Sequence, residues 1–237
     1  MNQTLKALSA LLSYPTAELQ QAAPEIRAIV LADGGLDKAV KARLVKLVEE
    51  IENSDLFDAQ ERYVMQFDRT RALSLHLFEH VHGESRDRGQ AMVDLMDMYQ
   101  RDGFFIQARE LPDYLPLFLE YLSLVSGEEA RELLAQTLHI TAAIGERLEK
   151  RASLYAGIFK ALERLSHAKP EKHLFDELMK QGEDDPTDLE ALDKIWEDEA
   201  VTFGANAGEN ACGPDRLRTQ MRATSRRPAD PTLQANN

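Results

Sequence analysis

The sequence predicts an all-α fold, a single-domain helical bundle over residues 1–203 with a mobile C-terminal tail over 204–237. Three observations carry this expectation. Leu, Ala, Glu, Arg and Lys dominate, and aromatics make up only 7%; the dominant residues are those that lose least on entering a helix. Apolar residues recur at three- and four-residue spacing, with no strand–helix alternation that would build a parallel sheet. From Gly204 the pattern stops, and five Arg and two acidic residues lie between Cys212 and Asn237. Such a composition buries too little apolar surface to order itself.

The elements follow in order. Residues 4–13 suit a short helix stopped near Pro15. Thr16 can cap the next, which carries Leu19, Ala23, Ile26 and Val30 on one face and ends at Gly34 and Gly35, with Pro24 as a kink or restart. Residues 36–52 give the cleanest stripe: Leu36, Val40, Leu44, Leu47, Val48 and Ile51. Ser54 or Asp55 starts a helix through Phe57, Tyr63 and Phe67. Between Asp68 and Gly83 both alternation and helical spacing are present, and helical neighbours favour a helix with an irregular lead-in. A helix from Ser85 or Asp87 to Arg101 turns Met92, Leu95, Met96 and Tyr99 inward and breaks at Gly103. Pro112 is placed to open a helix through Leu124 that is apolar nearly all round, hence central or groove-lining. Helices over 128–149, 152–167, 171–180 and 187–203 complete the bundle. The stretch from Asp176 to Glu199 is acidic, with eleven Asp or Glu against two Lys.

The totals exclude several functions. A formal charge of −13 argues against nucleic acid, which requires a basic face, and against docking on an anionic membrane. No apolar run approaches the ~18 residues of a membrane span. The N-terminus lacks a basic leading region and a cleavage site, so no signal peptide is expected. One cysteine, Cys212, excludes an internal disulfide framework, and the expected location is cytoplasmic.

No phosphate-cradling glycine motif and no nucleophile turn occur, so no catalytic residue and no cofactor are assigned. The cluster from Glu79 to Glu84 is the one that suggests a metal. His76, Glu79, His80 and His82 could serve a metal-dependent hydrolase, since His76-Leu-Phe-Glu79-His80 has the inverted H-x-x-E-H order. Against this, residues two apart on a helix point about 200° from each other, so His80 and His82 diverge. A second polar constellation, Arg109 to Tyr114, reads in two ways. Asp113 is either an acid in the first turn of a helix, or it projects with Glu110 into a groove and meets a basic side chain of a bound peptide.

The run from Tyr63 to Met92, with Phe67-Asp68-Arg69 and Leu77-Phe78-Glu79-His80-Val81-His82-Gly83-Glu84 at its centre, resembles the signature of the NarJ family. Arg109-Glu110-Leu111-Pro112-Asp113-Tyr114-Leu115-Pro116 resembles its second block, and LLSYP near the start and Ala191 to Glu197 near the end also fit. The resemblance covers most of residues 5–203. It implies an all-helical assembly chaperone of respiratory nitrate reductase, not an enzyme and not a subunit of the finished complex. Its implied partner is the cofactor-free catalytic alpha subunit, with its N-terminal leader remnant, alone or in the alpha–beta complex. Proteins of molybdenum cofactor biosynthesis are implied as further partners. The chaperone would hold its client open for insertion of the molybdenum cofactor and an iron–sulfur cluster and delay membrane attachment. The leader-peptide site implied by the wider group lies at Glu110–Tyr114 and around Phe78–Glu79. Related sequences often carry His where this chain has Tyr114. In this reading Leu77, Phe78, Leu115, Phe118 and Tyr121 supply apolar contacts, Glu79, Glu110 and Asp113 meet basic groups, and His82 and Tyr114 line the same surface.

Overall fold

The molecule was analysed as a computed structural model, which describes residues 1–81, 86–106 and 110–180. The described residues form ten α-helices: α1 (Asn2–Leu12), α2 (Ala17–Ala32), α3 (Lys38–Asn53), α4 (Leu56–Phe67), α5 (Leu77–Val81), α6 (Arg86–Arg101), α7 (Leu115–Leu122), α8 (Gly127–Lys150), α9 (Ala156–Ser166) and α10 (Lys172–Lys180). One 3-10 turn, Arg71–Leu73, precedes α5. The all-α expectation holds, and the irregular lead-in to α5 is that turn. The expected helix over 187–203, the tail from 204 and most of the acidic arm lie outside the described residues. The chain divides into a unit over Met1–Leu189 and a second over Glu190–Asn237, and every described residue belongs to the first.

Capping explains several boundaries. Thr16 Oγ1 accepts from Leu19 N at 3.2 Å, Asp37 from Val40 N at 2.9 Å and Asp55 from Phe57 N at 2.9 Å. Each satisfies an amide that the first helical turn leaves without a partner. Pro24 lies inside α2, which runs on to Ala32 rather than restarting. The α3 stripe is buried along its whole length, from Leu36 to Ile51. Helix α7 packs along α1, α2 along α3, and α9 against both α8 and α3. The α8–α9 contact is close: a Cβ at Gly145 would sit 2.7 Å from Phe159 Cβ.

Three sequence expectations are corrected. The central helix begins at Leu115, not Pro112, so Pro116 is the proline of its first turn. The reason is tertiary: an antiparallel bridge pairs Tyr114 with His76, and this extended pairing holds the chain out of helix up to Tyr114. The helix expected over 152–167 starts at Ala156, because the end of α8 closes on a left-handed residue, Ala152, at φ 51°. Ala152 N donates to Glu149 O and Ser153 N to Leu148 O, both at 2.9 Å, so the cap consumes the residues that spacing would put in α9. Finally, only Tyr99 of the inward set on α6 is fully buried; Met92, Leu95 and Met96 are half-buried.

Candidate functional site

The two polar blocks singled out in the sequence meet in space. Leu115 N donates to Leu75 O at 2.8 Å and Leu77 N to Asp113 O at 3.0 Å, on either side of the His76–Tyr114 bridge. Asp113 is the centre of this junction. Its side chain is fully buried, and it accepts from Phe78 N at 3.0 Å through Oδ2 and from His76 Nδ1 at 3.1 Å through Oδ1. It therefore caps the start of α5 from 35 residues away, not the first turn of α7. The hydrogen bond that His76 donates to Asp113, with the carboxylate's charge, holds the imidazole above its usual range, against the opposing effect of burial.

Other backbone anchors surround the junction. His80 is buried, and its Nε2–H donates to Ser74 O at 2.9 Å; burial pushes its pKa down. Tyr99 OH donates to Pro112 O at 2.8 Å, and Ser9 Oγ to Pro116 O at 2.6 Å. The Arg147 guanidinium, buried inside α8, donates to Ala72 O at 2.8 Å and to Leu178 O at 2.6 Å. The carbonyls of Ala72, Ser74 and Pro112 thus receive side-chain donors, and those of Leu75 and Asp113 receive backbone amides, as buried backbone requires.

The sequence-derived residues separate into two groups. Leu77, Leu115, Phe118 and Tyr121 face the core, none more than 2% exposed. Tyr121 packs against Tyr99 in a tilted arrangement, ring centroids 4.6 Å apart, and donates to Asp102 Oδ2 at 2.5 Å. They hold the platform and do not line its surface. Phe78, Glu79 and Tyr114 are half-buried and Glu110 is exposed. Glu79 is paired with Arg88 at 3.3 Å. His82 lies outside the described residues. Among the described residues no group of His, Cys, Asp and Glu is arranged to hold a metal ion. The hydrolase arrangement is not assembled there: His76 is committed to Asp113 and His80 to the Ser74 carbonyl.

Two further residues belong to this geometry. Tyr63 OH donates to Leu12 O at 2.8 Å and stands 3.0 Å from Tyr114 OH, from which it accepts. This relay ties the Tyr114 hydroxyl inward, and the ring lies against His76 at 5.4 Å. Burial raises both phenols above their usual range. Asp68, the C-terminal cap residue of α4, is exposed and acts electrostatically on Tyr63, Tyr114 and His76. Both lie in the run that carries the family resemblance, but no spacing assigns either of them a role. Only a carboxylate at the negative end of a helix, where the backbone disfavours it, hints at Asp68.

The fold places the molecule in a class of all-helical proteins. It matches a crystal structure from Archaeoglobus fulgidus, named as a candidate redox enzyme maturation protein, with a TM-score of 0.52 and 19% identity over 70% of this chain and 94% of that one. Within that class the chain belongs to the nitrate reductase delta subunit family, whose model matches residues 33–161. It is 41% identical, over 92% of its length and 91% of the relative's, to the nitrate reductase molybdenum cofactor assembly chaperone NarJ of Escherichia coli K12. It is 37% identical to the same strain's NarW, named a probable chaperone of the same kind, over 94% and 93% of the two chains. None of the described helices is long and apolar enough to cross a membrane.

Proposed function

We propose that the protein is an assembly chaperone for respiratory nitrate reductase that binds the cofactor-free catalytic alpha subunit through its N-terminal segment. Membership of the delta subunit family is the observation that carries this. In this reading the chaperone acts in the cytoplasm, on alpha alone or on the alpha–beta complex. It keeps the client competent for insertion of the molybdenum cofactor and an iron–sulfur cluster, delays membrane attachment, and stays out of the finished enzyme. It carries out no catalytic step.

The geometry supports a particular division of labour. The peptide site is the outer face of the His76–Tyr114 junction, where Phe78, Tyr114, Glu110 and Glu79 present ring and carboxylate surface. Asp113 serves that face from beneath, since both of its oxygens are already engaged. Aromatic surface with acidic margins suits a peptide of mixed apolar and basic residues.

Deleting the gene and purifying the reductase tests the function. The expected result is alpha and beta polypeptides at normal abundance but lacking molybdenum, restored by the wild-type gene. A reductase with full molybdenum content in the deletion strain would contradict it.

A further inference from the structure

We propose that the cleft between α4 and the turn joining α8 to α9 is a second binding site. It takes an uncharged apolar peptide segment and bonds a backbone carbonyl of that segment through the Tyr155 hydroxyl. None of its lining residues belongs to the His76–Tyr114 junction.

The cleft has a volume of about 530 Å³, within the range of sites that enclose small ligands. Its apolar lining runs from buried Ile51, Ala59 and Tyr155 to half-buried Met65 and exposed Leu154. Both walls are fixed before a ligand arrives. On one, Ala152 N and Ser153 N bond back to Glu149 O and Leu148 O, and Tyr155 N donates to Ser153 Oγ at 3.3 Å. On the other, Arg62 Nε pairs with Glu50 at 2.9 Å and a second guanidinium nitrogen donates to Ser54 Oγ at 2.6 Å. A preformed site loses little entropy on binding.

Tyr155 is what marks the cleft as a site. Three other buried tyrosines spend their hydroxyls on the protein: Tyr63 on Leu12 O, Tyr99 on Pro112 O and Tyr121 on Asp102. Tyr155 is equally well anchored, only 7% exposed, with its ring edge-on to Phe67 at 5.0 Å and to Tyr63 at 6.3 Å. Yet its hydroxyl makes no hydrogen bond with a described residue, and it is not sealed from solvent. What completes it comes through the cleft. Burial raises its pKa, so the phenol stays protonated and has a proton to give to an acceptor.

Charge narrows the ligand. Glu50, Glu61, Arg62 and Arg151 also line the cleft, two of each sign. An ionic ligand gains no net attraction there, and a carboxylate or ammonium competes with the Glu50–Arg62 pair. The favoured ligand is uncharged, with an apolar group for Ile51, Ala59, Met65 and Leu154 and one acceptor for Tyr155. An apolar residue within a peptide carries both, in its side chain and its carbonyl. Folded proteins bury most such residues, so the segments that fit are those exposed in an incompletely folded chain.

The test follows amide chemical shifts of the full-length chain as a blocked Ala-Leu-Ala peptide is added, with blocked Ala-Lys-Ala as the charged control. Shifts are expected at Ala59, Met65, Leu154 and Tyr155, and the lysine peptide should bind more weakly. Tyr155→Phe keeps the ring and should weaken binding about fivefold, the worth of one hydrogen bond, with the melting temperature held. Ala59→Leu, which fills the cleft from α4, should abolish binding. A cleft silent to the leucine peptide would overturn the site. So would equal binding by Tyr155→Phe and wild type, or a preference for the lysine peptide. A melting temperature that falls with affinity in Tyr155→Phe would mark the hydroxyl as structural and overturn it as well.

Discussion

The α8–α9 hairpin and the His76–Tyr114 junction are held together in opposite ways. In the hairpin the contacts are apolar and close, with Gly145 against Phe159 and Ala143, Ile144, Ile158 and Leu162 completely buried. At the junction the backbone is irregular, and side chains fix it by bonding to it: Asp113 to Phe78 N, His80 to Ser74 O, Tyr99 to Pro112 O. The junction spends Asp113, His80 and Tyr99 on its own backbone, and leaves Glu110 and Asp68 exposed and Phe78 and Tyr114 half-buried. Under the proposed function, these loops, stabilised from beneath, supply the recognition surface.

Asp113→Ala breaks the junction and is expected to have the largest effect. It leaves Phe78 N and the His76 ring without their buried partner, at a cost of roughly 2–4 kcal/mol in chemical denaturation, and peptide binding is lost with it. Asp113→Asn should recover part of the stability, because one amide oxygen can still accept from Phe78 N. Gly145→Ala breaks the hairpin instead. The added methyl meets Phe159 backbone-proximal carbon, and overpacking of this kind costs about 1–3 kcal/mol. Peptide affinity, measured on the folded protein, should be unchanged, which separates the two regions.

Acidification sharpens the comparison within the junction, since its two histidines respond with opposite sign. Burial lowers the pKa of His80, so its contribution to stability is full above the unfolded histidine value of about 6.5 and is lost as pH falls below it. The bond to Asp113 raises that of His76, so its contribution is full below the unfolded value and lost as pH rises through the folded one. His76→Gln should therefore make the drop in melting temperature between pH 7.5 and 5.5, a window of about one unit on either side of 6.5, larger than in wild type. A smaller drop in His76→Gln would reverse the assignment. The smallest effect is expected at the hairpin turn. Ala152→Gly relieves a left-handed residue at φ 51° and should stabilise by about 0.5–1 kcal/mol, read as a shift in denaturation midpoint.

The same contrast sets what could be read from the sequence. The α3 stripe was legible because its signal is local: Leu36 to Ile51 repeat at helical spacing and all are buried. Thr16 was legible as a cap because its partner is three residues on. Asp113 was recognisable as important but not in its role, since the amide it caps lies 35 residues earlier in the chain. Pro112 satisfies the local rule for a helix start, and the bridge to His76 moves that start to Leu115. The α8 end was hidden because Ala152 takes a position where glycine is the usual marker. Leu115, Phe118 and Tyr121 belong to the core, and periodicity alone cannot tell a groove wall from a core. Asp68 was passed over because its neighbours, His76 and Tyr114, are brought to it only by tertiary structure.

Amide chemical-shift mapping of the isotope-labelled chain, titrated with the alpha subunit's N-terminal peptide, tests the central claim most directly. The largest changes should fall at His76 to Glu79 and at Glu110 to Tyr114, with α8 and α9 little affected. Changes concentrated on the α8–α9 hairpin, or in the cleft between Arg62 and Tyr155, with the junction silent, would contradict it.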